Sequence, residues 1–126
     1  MRRGDMDSYT LRFIEDKKLT QDHLIPAIIM LIGGKGGRAT KKYVEENVYD
    51  IFEDEFHKRV YHEKVANHTV PRWKHDVAWA RERAKQRLGY IKPASKSGRG
   101  IWELTAKGHA YFEDLEEKLN NIANKA

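Results

Sequence analysis

Nine consecutive residues, Leu24 to Ile32, carry neither a charge nor a polar side chain, and they run into Gly33-Gly34. A helix built from them is apolar on nearly every side, so the rest of the chain has to enclose it. The run is far shorter than the roughly 20 residues that a membrane span needs. It therefore predicts a central core helix starting near Leu24, with Asp22 as cap, Pro26 within the first turn and the glycine pair as stop. A chain of 126 residues can wrap one such core and not two. The absence of cysteine excludes disulfides, zinc fingers and thiol catalysis. Met1-Arg2-Arg3 is followed by Gly4-Asp5 in place of an apolar stretch, which reads as no secretory signal and predicts a soluble, cytoplasmic protein without a membrane partner. Residues 1–21 lack periodicity and read as a loose N-terminal extension, ahead of a domain over 22–108 and a last helix over 109–126.

Gly33-Gly34-Lys35-Gly36-Gly37-Arg38-Ala39-Thr40 lacks the spacing of a phosphate loop, so it reads as a helix stop and a turn, with Thr40 capping the next helix. Lys35, Arg38, Lys41 and Lys42 surround that helix start, where a DNA phosphate can be held without reading sequence. Val44, Val48, Ile51 and Phe52 predict a buried stripe on a helix from about Lys41 to Glu53, whose remaining surface is acidic. Residues 56–71 make a long connection. Phe56, Val60, Tyr61, Val65 and Val70 should fold part of it back onto the core. His57, His62, His68 and His75 are too widely spaced for a metal site, and neither metal nor cofactor is expected.

From about Arg72 to Leu88 a further helix is expected, with Trp73, Val77, Ala80, Ala84 and Leu88 on one face and Gly89 as stop. Residues 72–100 hold nine Lys and Arg against Asp76 and Glu82, a local charge of +7 in a chain of +5. A polyanion would be steered to that segment. The candidate base-reading residues are Arg72, Lys74, His75 and Asp76 in the first turn, then Ala78, Glu82 and Gln86. Trp79 lies off the main stripe and is expected to fill a second core groove, with an exposed ring that packs on a partner or a modified base as the alternative. Arg81 borders the stripe and reads as an internal strut paired with an acid on the second helix.

Tyr90-Ile91-Lys92 and Gly100 to Leu104 read as two short strands. Their expected tip, Pro93 to Arg99, is flexible and basic, with Lys92, Lys96, Ser97 and Arg99 as candidate backbone contacts beside Arg38 and Lys41. Thr105 caps a final helix carrying Phe112, Leu115, Leu119 and Ile122, a stripe expected to pack on the same core or to form a dimer seam. The fold class expected is mainly α with a small β-hairpin: a winged helix-turn-helix with an additional C-terminal helix. In that arrangement a helix enters the major groove and the hairpin rests on the backbone.

Gly33-Gly34, Arg72-Trp73, Val77, Trp79-Ala80-Arg81, Leu88-Gly89-Tyr90-Ile91, Arg99-Gly100, Trp102, Leu104-Thr105 and Gly108 together resemble the amino-terminal winged-helix domain of the Mrr family of restriction proteins. The resemblance covers roughly Leu24 to Gly108. It implies a double-stranded DNA-recognition part whose partner is a separate nuclease domain, in cis or in trans. That nuclease half is missing from this sequence. Glu15-Asp16-Lys17 and Glu116-Glu117-Lys118 match its Glu-x-Lys text, but without a surrounding sheet they are chance matches in a chain rich in both residues. A binding module of a restriction or defence protein, without enzymatic activity, is therefore the first reading. A small dimeric winged-helix regulator of transcription and a protein-interaction module are the alternatives.

Overall fold

The computed structural model describes residues 21–65 and 69–125. Residues 1–20 of the expected loose extension, Glu15-Asp16-Lys17 among them, and His68 lie outside the described residues. Helix α1 (Gln21–Gly34) is followed by strand β1 (Arg38–Thr40), helix α2 (Lys41–Ile51) and a one-turn helix α3 (Glu53–Phe56). A 3-10 turn (Arg59–His62) and the strand pair β2 (Lys64–Val65) and β3 (Val70–Pro71) lead into helix α4 (Arg72–Gln86). The chain ends with a helical turn α5 (Ala94–Ser97), strand β4 (Ile101–Glu103) and the long helix α6 (Ala106–Lys125). The protein is thus mostly helical, with small two-stranded antiparallel sheets.

The apolar run behaves as its composition demands. Leu24, Ile25, Ile28, Ile29 and Ile32 are all buried, and α1 touches α2, α4, α6 and β1. Each such side chain withdrawn from water contributes about 1.5–3 kcal/mol, so this helix anchors the domain. Its start differs from expectation. Gln21 is already helical, which puts Asp22 inside the helix and Pro26 in the second turn. Asp22 is no cap; its carboxylate pairs with Arg83 of α4 at 3.0 Å.

Thr40 caps α2 as expected, its hydroxyl accepting from the Tyr43 amide at 3.0 Å. Val44 and Val48 are fully buried, but Ile51 is 56 % exposed, so the stripe ends one turn early. The cause is a break at Phe52 (φ −106°, ψ 26°), which redirects the chain into α3. Glu45, expected on the acidic surface, is instead buried. The long connection folds back as its apolar residues predict: Phe56 and Tyr61 are fully buried. Their rings meet at 5.1 Å, and Trp73 and Tyr49 join the cluster at 4.8 Å from each other. This aromatic wedge sets the direction from which α4 leaves the connection.

The expected hairpin is present in shortened form, and the main partner of its second strand is β1. β4 pairs along its length with β1, in the register Arg38↔Glu103, Ala39↔Trp102 and Thr40↔Ile101. Tyr90-Ile91-Lys92 touches the other side of this strand only through the Ile91↔Leu104 bridge and flanking backbone bonds. Three residues on each side of a short tip give too few ladder bonds to hold a strand alone. The tip is no flexible loop either, since Ala94–Ser97 forms a helical turn.

Helix α6 closes the core through two glycines. A methyl group on Gly33 would overlap the Phe112 ring, and one on Gly108 would overlap the Tyr90 carbonyl oxygen. Phe112 can rotate away, whereas a backbone carbonyl cannot. Gly108→Ala should therefore destabilise the fold by about 1–3 kcal/mol, the usual cost of overpacking. The roughly 1 kcal/mol that Ala gains in helix propensity does not offset it fully. Urea unfolding measures the difference, and a variant as stable as the parent would contradict this close approach. Beyond that contact the stripe splits. Phe112 and Leu115 pack on the core, while Leu119 and Ile122 are 51 % and 65 % exposed.

Candidate nucleic-acid interface

The β1–β4 ladder brings residues far apart in sequence to one place. Thr40 lies opposite Ile101, and the Lys41 amide donates to the Gly100 carbonyl at 2.9 Å. The start of α2 thus sits beside the Arg99-Gly100 end of the tip. Helix α4 faces the same spot. Lys41, Ala78, Arg81, Glu82, Ala94 and Trp102 line a cleft of about 290 Å³ between α4 and the tip. Lys41 is exposed at its edge, and Lys96 and Arg99 are exposed on the tip.

Arg81 forms the floor on the helix side. Its guanidinium carbon stands 5.7 Å from the Trp102 ring, and its Nη1 lies 3.2 Å from Glu82. It is indeed an inward strut, but its acidic partner is on its own helix and not on the second. Glu82 also accepts from Lys85 at 2.8 Å and from Gln86 at 2.6 Å. The Lys85 hydrogen bond, aided by Gln86 and Arg81, holds the Glu82 carboxyl below the usual carboxylate range against a partial burial that opposes it.

At the base of the tip, Glu103 takes Lys92 at 2.7 Å and Arg38 at 3.6 Å. The Lys92 hydrogen bond keeps this carboxyl low as well, with Arg38 adding to the effect. Arg38 is nonetheless 60 % exposed and also donates to the Ser97 carbonyl at 3.3 Å, which places it against the tip. Lys92 and Arg38 therefore share one compensating carboxylate, whereas Lys41, Lys96 and Arg99 make no ion pair among the described residues.

Several expected contacts are corrected. Ser97 is buried, and its hydroxyl donates to the Ile101 carbonyl at 2.8 Å, so it fixes the tip and does not face a partner. Asp76 is buried and cannot reach a base edge. Arg72 is half-buried with its Nε shielded from solvent, and Lys74 lies 5.9 Å from the Trp73 ring, so both follow the aromatic wedge more than the outward face. His75, Ala78, Glu82 and Gln86 do come together on that face.

Trp79 is not in the core, its first expected role, but is the exposed ring of the alternative. It is 51 % exposed, and its indole N–H donates to His75 Nε2 at 3.0 Å. Together with Glu82, Arg83, Gln86 and Arg87 it lines a second shallow cavity of about 310 Å³. Arg83 and Arg87 thus enter the candidate site from the structure. Their spacing from Trp79 along a helix is the signal that would have placed them.

Among the remaining described histidines, His62 Nε2 lies 3.2 Å from the Tyr49 hydroxyl and His57 Nδ1 lies 3.1 Å from the Glu53 carbonyl. No group of three or more His, Asp or Glu side chains among the described residues is placed to hold a metal ion. No described helix is long and apolar enough to cross a membrane. No family profile, curated protein or solved structure matches this chain.

Proposed function

We propose that this chain is a winged-helix module that binds double-stranded DNA, with α4 in the major groove and the 93–100 tip against the backbone. The observation that carries the reading is convergence: the outward face of α4, the start of α2 and the cationic tip border one cleft. The element order supports the winged-helix assignment, because a strand between the first two helices pairs with the strand that follows the tip. In such an arrangement phosphate contacts position the protein and the helix reads the bases. The Mrr-like residues extend the proposal to a recognition part of a restriction or defence protein. On this reading the cutting chemistry belongs to a nuclease domain in cis or in trans. Arg81, Gly100 and Trp102 of that resemblance line the cleft, and Gly33 and Gly108 set the packing of α6.

A salt titration of duplex binding tests the proposal. Affinity should fall with a log–log slope of about −0.9 per phosphate neutralised. A partner affinity that stays flat with salt, or no duplex binding at all, would favour the protein-interaction module instead.

Exposed Leu119 and Ile122 favour a second reading, the dimeric regulator. These two residues lie one turn apart on α6, so two copies of the helix packed along this apolar strip would cover it. Sedimentation should then show a dimer that Leu119→Asp with Ile122→Asp converts to monomer. A parent protein that is monomeric at micromolar concentration removes this reading.

A further inference from the structure

The outward face of α4 carries no unpaired cation at its centre. His75, Ala78, Trp79, Glu82 and Gln86 share it, and the one acidic group among them, Glu82, is already met by Arg81, Lys85 and Gln86. Trp79 has its polar edge occupied by His75, which leaves apolar ring surface towards solvent. Ala78 beside it is exposed. The cations stand instead on two banks: Lys41, Lys96 and Arg99 on the tip side, and on the other Arg87 with Arg83, whose guanidinium Asp22 already meets at 3.0 Å.

Guanine is read by Arg or Lys aimed at its O6 and N7, so a face meant for guanine would carry a cation in its middle. This face offers a methyl group, an indole and a carboxamide. On unmodified base edges in the major groove, the one apolar group is the thymine methyl, and the adenine beside it presents the N6–N7 pair that suits a carboxamide. We propose that α4 selects A·T pairs, with Ala78 and Trp79 touching thymine methyls and Gln86 turning from Glu82 to adenine, while the two banks hold the flanking phosphates.

The proposal rests on the duplex-binding reading, and the experiment separates the two. Binding of the full chain is measured by fluorescence anisotropy on an alternating A·T duplex, the same duplex with deoxyuridine replacing thymidine, and an alternating G·C duplex. The A·T duplex should bind tightest, and removal of each contacted methyl should weaken binding about fourfold. Trp79→Ala should shrink the thymidine–deoxyuridine difference while leaving the salt slope unchanged, and Trp79→Phe should retain most of it. Equal binding of thymidine and deoxyuridine duplexes by the parent, or an undiminished difference in Trp79→Ala, overturns the A·T assignment and leaves duplex binding standing. Failure to bind any duplex overturns both.

Discussion

Replacing Lys41, Lys96 and Arg99 together by alanine should lower duplex affinity roughly a hundredfold at about 0.1 M salt. With three phosphates no longer neutralised, the log–log salt slope should also become shallower by about 2.7. All three side chains are exposed, Lys41 lining the cleft between α4 and the tip and Lys96 and Arg99 standing on the tip itself, so their removal leaves the core intact. Preference among sequences should hardly change, because phosphate contacts carry no base information. Glu103 provides an internal control. Lys92 and Arg38 already share it, so replacing Lys92 should cost less than replacing Lys96 or Arg99. An unchanged slope in the triple variant would put the binding surface elsewhere.

Trp102→Ala should lower the unfolding free energy by about 3–5 kcal/mol, the range for emptying a large aromatic site. Domains of this kind have about 5–15 kcal/mol in total, so the change would unfold a sizeable fraction near physiological temperature. Trp102 is 5 % exposed, lies opposite Ala39 in the ladder and carries the Arg81 guanidinium over its ring. The defect should therefore appear in both stability and binding. Binding measured per folded molecule should also fall, because Arg81 is deprived of the ring that orients it. Trp102→Phe should recover most of the stability. Unchanged denaturation midpoints in the alanine variant would show that the strand pair does not depend on this ring.

Much of the fold is legible in the sequence because its signals are local and repeated. The apolar run of α1, the Thr40 cap and the Trp73–Val77–Ala80–Ala84 face each concentrate one period or one hydrogen bond in a few residues. The strand pairing is not legible in the same way. Tyr90 to Lys92 sits close to Ile101 in sequence and looks like its partner, yet β1 supplies the longer ladder from about sixty residues away. Register between distant three-residue strands leaves almost no trace in composition. Ser97 and Asp76 mislead for a related reason: a polar side chain inside a basic segment looks like a contact until its own backbone or neighbours claim it. Trp79 misleads in the opposite direction. A large ring off the main stripe is usually core, but here His75 satisfies its N–H at the surface and no other described element covers it.

The join between Arg38–Thr40 and Ile101–Glu103 has a kinetic consequence. Closing so long a loop is slow in entropic terms, so these six residues should acquire their order late in folding. The amides they hold should then exchange with solvent deuterium through a partial opening that leaves the core helices packed. A ligand gripping the cleft would slow that exchange at Trp102 and Ala39, on the strands beneath it, as much as at the surface it touches.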